Sequence, residues 1–185
     1  TNYLAVNSMA TLCSHLHINR FIYTSSCSVY GVGTNSSTLL NEKSPLNPIS
    51  HYARMKIASE EALFSQSNPL FAPTILRLGT VFGWSHRPRF DLVVNTFARD
   101  AFMKKSLKVF GGNQWRPNVY VGDVAESIVK VIEAPMDKVA RQVFNVGSNL
   151  TNHTIEELAE LTANIFSDCA VIIDDRNIDV RSYRV

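Results

Sequence analysis

The stretch RFIYTSSCSVYG, residues 20–31, decides how the rest of the chain is read. Its first half, 20–24, is a β-branched and aromatic run of the kind that fills a buried strand. Its second half opens a Ser/Gly/Asn-rich loop over 25–48, broken by Gly31, Gly33, Pro45 and Pro48. Upstream, Leu4, Ala5, Met9, Leu12, Cys13 and Leu16 recur at three- and four-residue steps, which predicts a helix over 3–17. Downstream, Ser50 is placed to cap a helix over 50–67 with Ala53, Ile57, Ala58, Ala62 and Leu63 on its apolar side. Pro73 then precedes a second buried strand, 74–78, ending at Gly79. Helix and strand in alternation are the pattern of a parallel sheet with crossover helices, which gives an α/β fold class.

After Gly83 the rhythm changes. The sequence predicts a helix over 90–104, a strand over 107–110, a turn at Gly111 and Gly112, and a strand over 118–121. Asp123 is expected to cap a helix to residue 133, and 142–146 reads as a strand. Thr154 is expected to cap a helix to residue 166, and a strand over 170–174 leads into a charged tail. The length of 185 residues suits one domain, or one plus an incomplete second. A net charge of +2, with scattered basic residues, argues against a nucleic-acid partner. No run approaches the roughly 18 apolar residues of a membrane span. Cys13, Cys27 and Cys169 lie too far apart for a zinc site or a disulfide framework, so no metal is expected. A reduced, cytoplasmic compartment is the simplest expectation, and the triplets starting at Asn35, Asn149 and Asn152 carry no glycosylation signal without a secretory leader.

The chemistry is expected from two places. Tyr52 and Lys56 stand four apart on the predicted helix, so their side chains share a face. A phenol is a poor base at neutral pH, and lowering its pKa by about 3 units needs about 4 kcal/mol of differential stabilisation. A neighbouring ammonium contributes to that, and a hydroxyl and a bound cation contribute more. Ser26 lies just past the carboxyl end of a strand, where open α/β sheets place their ligands.

With these elements in place, the chain resembles the extended short-chain dehydrogenase/reductase superfamily in its NAD-dependent epimerase/dehydratase branch. RFIYTSSCSVYG is similar to that family's catalytic-serine strand, PISHYARMK (48–56) to its Tyr-x3-Lys helix, and TILRLGTVFG (74–83) to the strand and turn beyond it. WRPNVYVGDVAESI (115–128) resembles its Arg-x4-Val-x-Asp-x-Ala segment, and FNVGSN (144–149) its Asn-hydrophobic-Gly strand. Asn7 with Thr11 resembles the Asn-Val-x-Gly-Thr helix start, from which Met9 and Ala10 depart. The resemblance implies the second half of a Rossmann-like doubly wound parallel sheet plus a small α/β substrate-binding region. The dinucleotide-binding part would be 1–83 and the substrate part 84–185, with 118–147 returning to the core.

It also implies roles. Tyr52 would exchange a proton with a sugar hydroxyl during hydride transfer, Ser26 would hydrogen-bond the same oxygen, and Lys56 would hold the nicotinamide ribose and acidify Tyr52. The NAD (or NADP) surface would comprise Asn7, Ser25, Ser26, Tyr52, Lys56 and Gly79. The nucleotide-sugar would meet Ser26, Thr80, Phe110 and Arg116, with Arg116 on the diphosphate and Phe110 at the base. His51 and His86 flank this region without an assigned role. A homodimer through the helices at 3–17 and 50–67 is implied, and Leu12, Leu16, Leu63 and Phe64 are placed either for that contact or to face the sheet.

The positions around Cys27 narrow the reaction. Relatives that eliminate water carry Thr-Asp-Glu there, because elimination needs an additional acid and base. Here those places are Ser26, Cys27 and Ser28, which favours a 4-epimerase over a dehydratase. A 4-keto-sugar reductase is the alternative, although its Cys place is Ser28 and Cys27 is one residue off. The family's Gly-rich pyrophosphate turn has no match, since Gly31-Val-Gly33 has no helix behind it. The expectation is therefore a fragment of a longer enzyme, with a non-catalytic remnant as the third reading.

Overall fold

Parallel pairing in strict register organises the centre of the molecule. The computed structural model describes residues 2–32, 38–174, 176 and 181–185. Gly33, the Asn35 triplet and part of the charged tail lie outside those residues. Helix α1 (Asn2–His15) leads into strand β1 (Arg20–Ser26), which turns through a 3₁₀ segment, Cys27–Tyr30. Helix α2 (His51–Ser65) then crosses back to strand β2 (Ala72–Leu78). Ser50 caps α2 through its hydroxyl, which accepts from the Ala53 amide at 3.1 Å. Strand β1 pairs with β2 from Arg20 against Ala72 to Ser26 against Leu78.

The second half adds β3 (Thr80–Phe82), α3 (Val93–Lys104), β4 (Ser106–Phe110), β5 (Trp115–Tyr120), α4 (Val121–Glu133) and the short α5 (Met136–Val139). It closes with β6 (Val143–Val146), β7 (Asn152–Thr154), α6 (Ile155–Ile165) and β8 (Ala170–Asp174). Three sheets result, ordered β1-β2-β6, β3-β5-β7 and β4-β8. Strand β6 joins β2 in parallel, so residues far along the chain complete the sheet begun by β1. Among these strand pairs, β5–β7 alone is antiparallel.

Side-chain alternation along β2 shows both faces of the first sheet to be covered. Ile75 packs with Ala10, Cys13, Leu63 and Phe71 under α1 and α2. Leu76, the next residue, packs with Val124, Val131 and Val146 under α4. A separate core of Phe97, Ala101, Leu107, Val109, Leu158 and Ala159 joins α3, β4 and α6. This is the α/β architecture the sequence predicts. Among the described residues, no helix is long and apolar enough to cross a membrane.

Several boundaries differ for identifiable reasons. The helix expected from residue 90 begins at Val93, because Thr96 and Asn95 bond back to the carbonyls of Phe90 and Arg89 and hold that segment as a turn. Asp123 does not cap α4. The helix starts at Val121, and Asp123 sits in its first turn, where a carboxylate suits the positive helix end. Strands β2 and β5 enclose Pro73 and Pro117, although the sequence places each strand start after its proline. Thr154 does cap α6, in a reciprocal pair with Glu157.

Gly31 ends the 3₁₀ turn at φ 67°, ψ −109°, and a Cβ there would lie 1.6 Å from the Asn47 carbonyl oxygen. Replacing Gly31 with Ala is therefore expected to cost about 2 kcal/mol or more of stability. Urea denaturation of the two proteins measures this, and a loss below about 0.5 kcal/mol contradicts it.

Candidate active site

The carboxyl ends of β1 and β2 stop at the same level, and the first turn of α2 returns to that edge. A cleft of ≈ 550 Å³ opens there, lined by Ser26, Tyr52, Lys56, Gly79, Thr80 and Arg89 among others. Ser26 is extended, and its Oγ accepts from the Ser28 amide at 3.2 Å, which leaves its O–H to donate toward the cleft. Tyr52 stands in the first turn of α2 and is 47% exposed. Burial pushes the Tyr52 phenol above the ordinary tyrosine range, while a hydrogen bond from Ser26 and the positive charge of Arg89 pull it down. The fold therefore brings Ser26, Tyr52 and Lys56 to one cleft.

Lys56 lies beside Tyr52 and makes further contacts of its own. Lys56 Nζ donates to the Thr24 carbonyl at 2.7 Å and lies 4.7 Å over the Tyr23 ring. It also lies over the Tyr52 ring, 5.6 Å from its centre. Burial lowers the Lys56 pKa, with Glu60 opposing. Arg89, from the segment between β3 and α3, is a further cation that favours the Tyr52 phenolate. Arg89 is itself held by Asp91, with Nη2 to Oδ2 at 2.5 Å.

Two further expected cofactor residues are placed differently from their expectation. Asn7 is not at a helix start, since α1 begins at Asn2. Its Oδ1 accepts from Gln66 Nε2 at 2.8 Å, tying α1 to the far end of α2, and it does not line the cleft. Ser25 lines the cleft, but its hydroxyl turns away and donates to Glu60 at 2.5 Å. Gly79 lies on the cleft floor, with its amide donating to the Val146 carbonyl at 3.0 Å. A Cβ there would stand 3.0 Å from the Pro117 carbonyl oxygen, a close approach of the strand end to β5.

Thr80, Phe110 and Arg116 meet in a neighbouring cavity of ≈ 370 Å³, which shares Thr80 and Leu92 with the cleft. Phe110 is half exposed beneath Lys108, whose Nζ lies 5.0 Å from the ring centre. Arg116 is buried, and its Nη1 donates to the carbonyls of Trp115 and Arg181. His51 and His86 do not line the cleft, and His86 stacks edge-on against Trp84. All three cysteines are free. Cys27 is fully buried with its Sγ 3.2 Å from the Arg77 carbonyl, and burial pushes its thiol up to about 12.

The donor set suits a ribose. An ammonium has three N–H donors, and one of those on Lys56 is spent on Thr24, leaving two for ligand hydroxyls beside the cleft floor.

Residues 1–147 match the sequence model of the NAD dependent epimerase/dehydratase family. An uncharacterized protein of Methanocaldococcus jannaschii is 30% identical over 155 residues, covering 80% of this chain and 45% of its own length. The uncharacterized UDP-glucose epimerase YtcB of Bacillus subtilis is 29% identical over 136 residues, covering 72% of this chain and 42% of its own length. This chain thus spans less than half of either relative. A solved NAD-dependent NDP-hexosamine 5,6-dehydratase, TunA, of tunicamycin biosynthesis superposes with a TM-score of 0.86 at 22% identity, over 100% of this chain and 60% of its own, a likeness of fold.

Removing Arg89 or the Ser26 hydroxyl takes away a contact that lowers the Tyr52 pKa, so Arg89→Met and Ser26→Ala should each move the phenol further up. Titration of ¹³Cζ-labelled tyrosine by NMR reads this directly. A downward or absent movement in both variants contradicts the assignment.

Proposed function

The chain belongs to the NAD-dependent epimerase/dehydratase family, and from that premise we propose that it carries the acid/base group of a nucleotide-sugar epimerase. The carrying observation is that Ser26, Tyr52 and Lys56 line one cleft at the carboxyl ends of parallel strands. When bound, the nicotinamide supplies a hydride acceptor and donor. The residues of this chain do the rest. Tyr52 Oη takes the proton of the sugar hydroxyl at the oxidised carbon and returns it on re-reduction. Ser26 Oγ holds the same oxygen, and Lys56 offers its remaining N–H donors to ribose hydroxyls. The division into a dinucleotide-binding part, 1–83, and a substrate part, 84–185, with a return over 118–147, belongs to this proposal and is supported by β6 pairing with β2.

Epimerisation is favoured over elimination by the walls of the cleft. Elimination of water needs a further acid and base, yet among the described residues no carboxylate lines the cleft. The reductase's Cys place is held by Ser28, and the one nearby thiol, Cys27, is buried and bonded to a carbonyl, which speaks against a reductase. The charged side chains lining the cleft, among the described residues, are Lys56, Arg87 and Arg89, which suits an anionic nucleotide-sugar. Thr80, Phe110 and Arg116, together in the adjoining cavity, are proposed to meet its nucleotide side. A homodimer through α1 is part of the proposal, with Leu12 and Leu16 exposed for the contact. Leu63 is withdrawn from that contact, because it is fully buried against the sheet.

In the intact protein, Tyr52→Phe is expected to lower turnover by about 10³-fold with the fold unchanged, the magnitude usual for loss of a general acid/base. Turnover within about tenfold of wild type removes the proposed role. Assays with UDP- and dTDP-sugars separate the reactions: an epimerised sugar should form without net change in reduced cofactor, and stoichiometric NAD(P)H consumption points to a reductase instead.

A further inference from the structure

Tyr52 and Lys56 are succeeded, one helical turn further, by a third polar residue on the same face of α2, Glu60. Unlike them it is buried, at 4% exposure, and so is its partner Arg77 on β2, at 5%. Their pairing is close: Arg77 Nη2 donates to Glu60 Oε2 at 2.6 Å, and Nε reaches both carboxylate oxygens at 3.2 and 3.3 Å. Ser25 Oγ donates to the same carboxylate at 2.5 Å. From its other end, Arg77 Nη1 donates to the Tyr30 hydroxyl at 3.1 Å, and that hydroxyl donates to Asn145 Oδ1 at 2.7 Å. One connected polar cluster thus joins α2, β1, β2, the turn after Ser26, and β6.

We propose that Ser25, Glu60 and Arg77 are positioning residues that set the seating of α2 on β1, so that the Ser26 hydroxyl and the Tyr52 phenol meet. Ser26 is held on both sides by the same cluster, through Ser25 before it and Tyr30 after it. Because side chains alternate along a strand, fixing Ser25 fixes the rotation of the strand end and hence the direction of Ser26. Glu60 stands two turns below Tyr52, about 12 Å along the axis, so a rotation or slip of α2 at Glu60 is carried to the phenol. Apolar packing is non-directional and resists such a slip weakly, whereas a forked Arg–carboxylate pair fixes distance and angle together. Stability does not require this pair, since buried ion pairs are often replaced by apolar residues of similar volume at no cost to the fold.

That last point supplies the test, whose activity arm rests on the epimerase reading above. The triple variant Ser25→Ala, Glu60→Leu, Arg77→Met removes the cluster and leaves an apolar filling. Circular dichroism and thermal unfolding establish its fold. In the folded variant, the Tyr52 titration observed by ¹³Cζ NMR should move upward, because the Ser26 hydrogen bond is lost. The kcat on nucleotide-sugar should fall about 100-fold with KM within about threefold, the effect expected of a misplacement near 1 Å. Should the triple variant not fold, Glu60→Gln keeps the shape, removes the charge and is read in the same two ways, with the same directions expected. A folded variant whose Tyr52 titration stays in place and whose kcat stays within about threefold overturns the inference. The two readings fail separately. If the wild-type protein turns over no nucleotide-sugar while the Tyr52 titration still moves in the variant, the reaction is wrong and the positioning role stands.

Discussion

The in-register pairing of β1 with β2 is the constraint on which the cleft depends. Because Ser26 lies opposite Leu78, the two strands end together, and Gly79 and Thr80 emerge beside Ser26 rather than above or below it. Parallel strands need a crossover, and the crossover here is α2, which must run against the strands to bring the chain back. Its first turn therefore sits at the edge where the strands end, and that alone places Tyr52 near Ser26. Lys56, one turn further, reaches back to the carbonyl of Thr24 inside β1. The Ser-Tyr-Lys group is thus a consequence of topology, refined by side-chain bonds.

Topology sets the level of the cleft but not its finer geometry. A helix lying on a sheet through Leu63, Ile75 and Phe71 retains freedom to rotate about its axis, since apolar contacts are satisfied over a range of angles. Directional bonds remove that freedom, and on α2 they are concentrated on the Glu60 face, while Ser50 fixes the start of the helix. The other side of the sheet is tied in a different way. Arg20 reaches across from β1 to the carbonyls of Val131 and Ala134 at the end of α4, so the anchor there starts from the strand rather than from the helix.

Legibility in the sequence divides along the same line. Periodicity and caps identify the α/β alternation, the Ser50 and Thr154 helix starts and the shared helix face of Tyr52 and Lys56, because each rests on spacing within a short segment, whereas Ser26 joins that pair only through the family resemblance. Pro73 and Pro117 mislead the strand boundaries, since whether a missing N–H matters depends on the neighbouring strand, which the sequence does not display. Asn7 matches a motif start, yet it lies five residues into a helix. Glu60 is readable in principle as the next step of a Tyr52–Lys56 ladder, but its partners Ser25 and Arg77 are 35 and 17 residues away in the chain. Long-range partners of this kind are hidden in a single sequence.

The electrostatics of the cleft derive from those hidden partners. Burial disfavours charge on both Tyr52 and Lys56, raising one and lowering the other. The same low polarity strengthens each remaining contact to the phenol oxygen. Lys56 Nζ is held by the Thr24 carbonyl and lies over the Tyr23 ring, and Arg89 adds a further positive charge near the phenol. Arg89 stands in the segment between β3 and α3 and lines the same cleft. Changes in that segment would therefore alter the readiness of Tyr52 to release a proton as well as the charge of the cleft.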